Sequence, residues 1–190
     1  MVGLAVMLAL GVALILYFVG IYNGLVNLRE SVKVAWANID VLLVQRHDEL
    51  PKLVDTCKRY MQFEQETLEK VMRARSSISE ATAVRNVAAV GAAEGELRSG
   101  IGRLFAVAES YPDLKSDATF KQLQGRITAL EESIADRREL YNDQANLNNI
   151  RIGTFPDVLV AHQFGFRPAQ LLEFSPEETR DVDVGSLFRA

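Results

Sequence analysis

No charged side chain precedes Arg29 in this 190-residue chain, and residue types that carry chemistry are scarce throughout. There is one cysteine, Cys57, which excludes an internal disulfide and a cysteine-based zinc site. The two histidines, His47 and His162, stand far apart on different helices, too few for a metal set. Glycine-rich phosphate loops, CxxC pairs, HExxH and serine-nucleophile motifs are all missing. With 21 basic against 25 acidic residues there is no basic excess of the kind a nucleic-acid groove requires. The five prolines and few β-branched runs leave helices as the favoured element. The expected fold class is all-α, and no reaction, cofactor or metal is named by these residues.

What the chain does have is a run of almost purely apolar residues from Val2 to Tyr22. As a helix it would be roughly 30 Å long, the thickness of a bilayer's hydrocarbon core. Val2, Leu8, Leu14, Leu16, Phe18 and Tyr22 are the expected membrane-spanning residues. A cleaved signal peptide fits less well: no Lys or Arg precedes the core, the core is long, and Asn23-Gly24-Leu25-Val26 offers no small-x-small site. A buried helix of a globular protein rarely runs this far without a polar face. Tyr17 and Tyr22 suit the aromatic belt at the C-terminal end of a span. Arg29, Lys33 and Arg46 all follow it, so the positive-inside rule places the main domain in the cytoplasm.

The expected organisation is an anchor over 1–24, an antiparallel helical bundle over 25–163 and a partly docked tail over 164–190. Leu25, Leu28, Val32, Ala35, Ile39 and Leu42 follow alternating steps of three and four, a heptad seam that starts inside the charge-free region. Arg46 would fall on that seam. The stripe resumes at Leu43, Leu50, Leu53, Val54, Cys57, Met61, Leu68 and Val71 at a globular 3.6-residue period. Pro51 lies mid-helix and should kink it near Arg46–His47. Helix one is expected to end near Ser76–Ser77. A second, Ala-rich helix is expected over 81–110, with Gly91, Gly95, Gly100 and Gly102 allowing close approach, ended by Pro112. A third is expected over 117–153 with Asp117 as N-cap and a stripe of Phe120, Leu123, Ile127, Leu130, Ile134, Tyr141 and Ala145. A short helix starting at Pro156 carries Val158 to Ala161. The remaining chain has Phe166, Phe174, Val182, Val184 and Phe188 among prolines and acids, and reads as the tail.

Two polar groups stand out. Asp40, Arg46, His47 and Asp48 cluster on helix one; salt bridging to helix three is the simpler reading than a carboxylate–His site, which lacks a nucleophile and further ligands. Glu131, Arg137, Arg138, Tyr141, Asn142 and Asn149 form a polar strip on helix three. Such groups set helix register when hydrogen-bonded in a packed seam, so the strip is expected to face Asp40–Asp48; a partner groove is the alternative. Trp36, beside the seam, and Cys57, on the stripe, read as packing residues.

Several blocks together resemble the LemA family of bacterial membrane-anchored proteins. They include Tyr22-Asn23, Leu25-Val26, Ala35-Trp36, Ile39-Asp40-Val41, Leu43, Arg46, Asp48, Leu50-Pro51 and Leu53-Val54. Further along come Glu64, Val71, Ala74-Arg75, Glu109, Tyr111-Pro112-Asp113-Leu114-Lys115, Phe120, Leu123, Glu131, Ile134, Arg137-Arg138, Tyr141-Asn142, Asn149 and Phe155-Pro156. Departures are Glu49 where the family usually has an apolar residue, Lys52 where it often has Asn, Asn148 for a usual aromatic, and the tail after Phe166. The resemblance implies an N-terminal anchor in a bacterial cell membrane, an antiparallel bundle, no established enzymatic activity and a loose link to membrane organisation, magnetosome membranes included. The expected function is a non-enzymatic scaffold, with an adaptor for a membrane enzyme or protease as the alternative. Expected partners are membrane lipid, further copies of the chain and a membrane protein, but no nucleic acid.

Overall fold

The computed structural model describes residues 2–173, and every regular element among them is an α-helix. The tail positions Phe174, Val182, Val184 and Phe188 lie outside the described residues. The helices are α1 (Val2–Lys58), α2 (Gln65–Ala83), α3 (Val87–Ala108), α4 (Pro112–Ser116), α5 (Ala118–Gly153) and α6 (Asp157–Gln163). The all-α expectation holds, but two helix boundaries differ from the expected ones.

Helix one stops at Lys58, not near Ser76–Ser77. The chain turns over residues 59–64, with Tyr60 and Met61 donating to the Cys57 carbonyl at 3.0 and 2.8 Å. Met61 is buried within this turn, so the apolar stripe continues in phase through a break that periodicity alone does not reveal. Ser76 and Ser77 lie inside α2 and return their hydroxyls to the carbonyls of Met72 and Arg73, one turn back. That bond lets serine stay within a helix instead of ending it. The second break comes after Ala83. Arg85 takes a left-handed φ of 52° and Asn86 caps α3, its side chain accepting from the Ala89 amide at 3.0 Å. Pro112 occupies the first turn of α4, a position where its missing N–H costs nothing. Asp117 caps α5 by accepting from the Phe120 amide at 2.9 Å, and it also accepts from the Tyr60 hydroxyl at 3.0 Å. These two bonds hold the Asp117 carboxyl below its ordinary value, and the same contact raises the Tyr60 hydroxyl.

The described chain divides into two compact units. The first takes residues up to Val41 together with Ile134–Leu171. Within it α1 and α5 run antiparallel: Gly24 meets Arg151, and Trp36 stands edge-on to Tyr141 with ring centroids 5.5 Å apart. Ile21 and Leu25 of α1 and Val160 and Ala161 of α6 form a core, joined by Phe18, Ile152 and Phe166. From Val2 to Tyr17 every side chain is exposed. This is the one stretch among the described residues long and apolar enough to cross a membrane.

The second unit takes Leu42–Ser133 and the chain from Leu172. Here α2 and α3 fold back on one another, so closely that a Cβ on Gly100 would stand 3.3 Å from Val71. Leu50, Leu53, Val54 and Cys57 of α1 are buried in this unit, as are Val71, Leu97, Leu104 and Ile127. At Gly91 the close neighbour is not a helix. A Cβ there would sit 2.1 Å from the Glu173 carbonyl oxygen, so Leu172 and Glu173 lie directly on α3.

α1 stays helical through Pro51. Proline has no amide hydrogen, so the carbonyl of His47, four residues back, loses its helical donor. Arg75 of α2 replaces it, with Nε donating to the His47 carbonyl at 2.9 Å. A long-range side chain thus completes the backbone accounting that Pro51 opens. Replacing Arg75→Ala should therefore lower stability by about 1–3 kcal/mol. In a Pro51→Ala background, where residue 51 again donates to His47, the same replacement should cost distinctly less. Chemical unfolding of the four-member cycle measures this coupling, and strict additivity would contradict the compensation.

Candidate functional site

Arg46 falls on the inward stripe of α1, one turn from Leu43 and one from Leu50, and is 1% exposed. A guanidinium cannot shed its proton, so burial there demands counter-charge. Two carboxylates supply it: Nη2 donates to Glu94 of α3 and Nη1 to Glu131 of α5. Burial alone would lower the Arg46 pKa. The attraction of Glu94 and then of Glu131 outweighs that and holds it above its ordinary value. The cluster therefore ties three helices of one unit through a permanent charge on Arg46.

His47 and Arg75 form a second contact beside it. Arg75 Nη2 lies 2.5 Å from His47 Nε2. Arginine has no acceptor, so Nε2 must be the unprotonated nitrogen and the ring is neutral. Burial, then the Arg75 charge, lower the His47 pKa, with Asp48 partly opposing them. Asp48 is exposed, and Asp40 is half-buried in the other unit. The four residues expected to cluster thus divide: only Arg46 and His47 enter a bonded network, each with a different partner. The two histidines also fall in different units, and among the described residues no three His, Cys, Asp or Glu side chains converge on a metal position. Cys57 is buried, and burial pushes its thiol up to about 12, which keeps it protonated and unreactive.

The polar strip on α5 likewise has two destinations. Glu131 belongs to the Arg46 cluster. Further along, Tyr141 donates to the Gln170 carbonyl at 2.7 Å. Asn149 both donates to the Ala169 carbonyl at 2.9 Å and accepts from the Ala169 amide at 2.7 Å. One carboxamide thereby pairs with both main-chain groups of a single residue, as a neighbouring strand would. Arg138 and Asn142 are half-buried and engaged, and Arg137 is exposed. This part of the strip is occupied by the chain's own extended segment after α6. Burial raises the Tyr141 hydroxyl.

Three features escape a reading of the residues alone. Glu94 is nearly fully buried; its signal is a place on the stripe between Val90 and Leu97. Glu49, a departure from the family pattern, is buried too. One oxygen takes Lys52 and Arg126 at 3.2 and 3.3 Å, while its second oxygen has no hydrogen-bond partner. Finally, a groove of about 730 Å³ opens at the α1–α2 turn, lined by Val54, Met61, Phe63, Leu68 and Met72 among others. Val54, Met61 and Leu68 are stripe residues, but Phe63 stands on the turn and off the stripe, so the periodicity does not mark an opening there.

The LemA family model matches residues 35–185. Protein LemA of Metamycoplasma hominis is 30% identical over 174 residues, covering 90% of this chain and 77% of that protein. Magnetosome protein MamQ 2 of Paramagnetospirillum magneticum is 34% identical over 97 residues, which is 51% of this chain and 36% of that protein. Magnetosome protein MamQ of Magnetospirillum gryphiswaldense is 28% identical over 97 residues, with the same shares covered. The matching part of the chain thus spans about a third of the magnetosome relatives' length.

Two outcomes follow from the site. Arg46→Met leaves two carboxylates facing a dry core and should cost about 3–5 kcal/mol by chemical unfolding, whereas Arg46→Met combined with Glu94→Leu and Glu131→Leu should recover most of it. For His47, the unfolded chain takes up a proton near the ordinary value of 6.5 and the folded chain only at lower pH. In that window the unfolded state binds more protons, so stability falls as pH drops below about 6.5. His47→Gln, which keeps an acceptor for Arg75, should flatten this part of the stability–pH curve.

Proposed function

The chain belongs to the LemA family, and from that premise we propose that it is a non-enzymatic scaffold, anchored in a bacterial cell membrane and self-assembling there. The observation that carries the reading is α1 itself: its exposed apolar stretch passes without a helix break into the packed stripe from Leu25 onward. In this reading residues 1–24 are the anchor, 25–163 the helical bundle, and 164–190 a partly docked tail. Arg29 and Lys33 favour a cytoplasmic bundle.

Two features support a structural role over a catalytic one. Arg46, His47, Tyr141 and Asn149 are each engaged by other groups of the chain, whereas a catalytic site needs a perturbed group aimed at an open cleft. The seam residues Leu28, Val32 and Ala35 are only half-buried, which leaves apolar area on α1 for a second copy. The groove beside Phe63 favours the second reading, an adaptor that holds an apolar segment of a membrane enzyme or protease.

Light scattering on the full chain after mild detergent extraction, with imaging of the particles, separates these readings. A uniform homo-assembly that breaks down on Val32→Asp supports the scaffold. A monomer carrying a second protein in fixed ratio, lost on Phe63→Ala, supports the adaptor and overturns the scaffold.

A further inference from the structure

Most of the strongly exposed apolar side chains lie on the span. A smaller set collects where α5 ends and α6 begins. Ile150 is 64% exposed, Phe155 75%, Leu159 53% and Phe164 62%. All four belong to the same unit as the apolar stretch of α1. Within that unit α5 runs antiparallel to α1, and contacts that start at Trp36–Tyr141 reach Gly24–Arg151 near its end. The α5–α6 connection therefore comes to the level of the last residues of the apolar run. α6 confirms this depth: its buried side, Val160 and Ala161, packs on Ile21 and Leu25.

The surroundings suit a membrane interface. Tyr22 stacks with Phe164 and Phe166, at centroid distances of 4.8 and 5.9 Å. The Arg29 guanidinium lies 5.4 Å above Phe166, and Arg151 sits beside Gly24, ion-paired with Asp157. Aromatic rings with a basic fringe, one or two helical turns past an apolar span, are the side chains that settle among lipid headgroups. An exposed apolar cluster this close to the span is costly in water and favourable against acyl chains.

We propose that the end of α5 and α6 form a second, interfacial contact with the bilayer, in which Ile150, Phe155, Leu159 and Phe164 sit at the boundary of headgroups and acyl chains. The occupant of this apolar face is the same lipid that surrounds α1, because any surface packed beside Ile21 stands at the depth where the span ends. The proposal rests on the reading of residues 2–22 as a membrane span. Its consequence is that the unit is held at two points, which restricts its tilt and rotation at the membrane.

The test places an environment-sensitive NBD label at Ile150→Cys and, separately, at Leu159→Cys in the full chain. The protein is reconstituted in phosphatidylcholine–phosphatidylglycerol vesicles. Cys57 is buried and stays unlabelled. Leu10→Cys reports the anchor, and Val84→Cys, exposed on the α2–α3 turn, reports water. Blue-shifted emission at 150 and 159, quenched several-fold more by lipids with a doxyl group near the headgroup than by aqueous iodide, is the expected result. If Leu10→Cys is quenched by deep doxyl groups while 150 and 159 respond to iodide like Val84→Cys, the interfacial contact is wrong and the anchor stands. If both sites are shielded from lipid and iodide alike, and dilution of the protein in lipid exposes them, a second copy covers the face and the proposal fails. If Leu10→Cys itself escapes the deep quencher, the anchor reading falls and takes the proposal with it.

Discussion

The second unit is organised around a charge that cannot be neutralised. Once Arg46 occupies an inward position of α1, the guanidinium must find carboxylates, and these must come from helices facing that position. Glu94 and Glu131 meet this need from α3 and α5. A shift of α3 or α5 by one residue would rotate its carboxylate away and leave a bare charge in the core. An apolar core tolerates such slips with modest repacking; a core holding a triad does not. The triad thus selects a single register.

The same logic recurs wherever the backbone itself is incomplete. Pro51 strands the His47 carbonyl, and Arg75 satisfies it from α2. The described segment after α6 has no regular element to pair Ala169 and Gln170, and Asn149 and Tyr141 take their backbone groups instead. At Gly91 the chain near Glu173 approaches so closely that no side chain fits between. In each case a polar or missing side chain on a helix answers a backbone group elsewhere. Polar residues that resemble a catalytic assortment in the linear chain are thereby spent on the protein's own peptide groups and charges.

The first unit solves a different problem. Its α1 carries exposed apolar surface from Val2 to Tyr17, while α5 and α6 cover only the end of that run through Val160 and Ala161. Apolar burial by protein begins close to where the charge-free stretch ends. The aromatic cluster of Tyr22, Phe164 and Phe166 marks the change, with Arg29 above it.

The helical class, the apolar N-terminal run and most buried positions were determined by the sequence itself, because periodicity and hydropathy are local properties. Leu50, Leu53, Val54, Cys57, Phe120, Ile127 and Ala145 were all legible as stripe members and are buried. The Asp117 cap was equally legible, since capping needs only neighbours in the chain. Helix breaks were less so: Met61 keeps the stripe in phase through the turn, and Ser76–Ser77 look like a stop but bond back within α2. What only the tertiary structure decided is which polar groups meet. Glu94 pairs with Arg46 across 48 residues and Glu131 across 85. Arg75 finds a carbonyl orphaned 28 residues earlier, and Asn149 finds a peptide 20 residues later. A stripe says which face of a helix turns inward. It does not say which charge stands opposite, because that depends on how the helices are placed against one another.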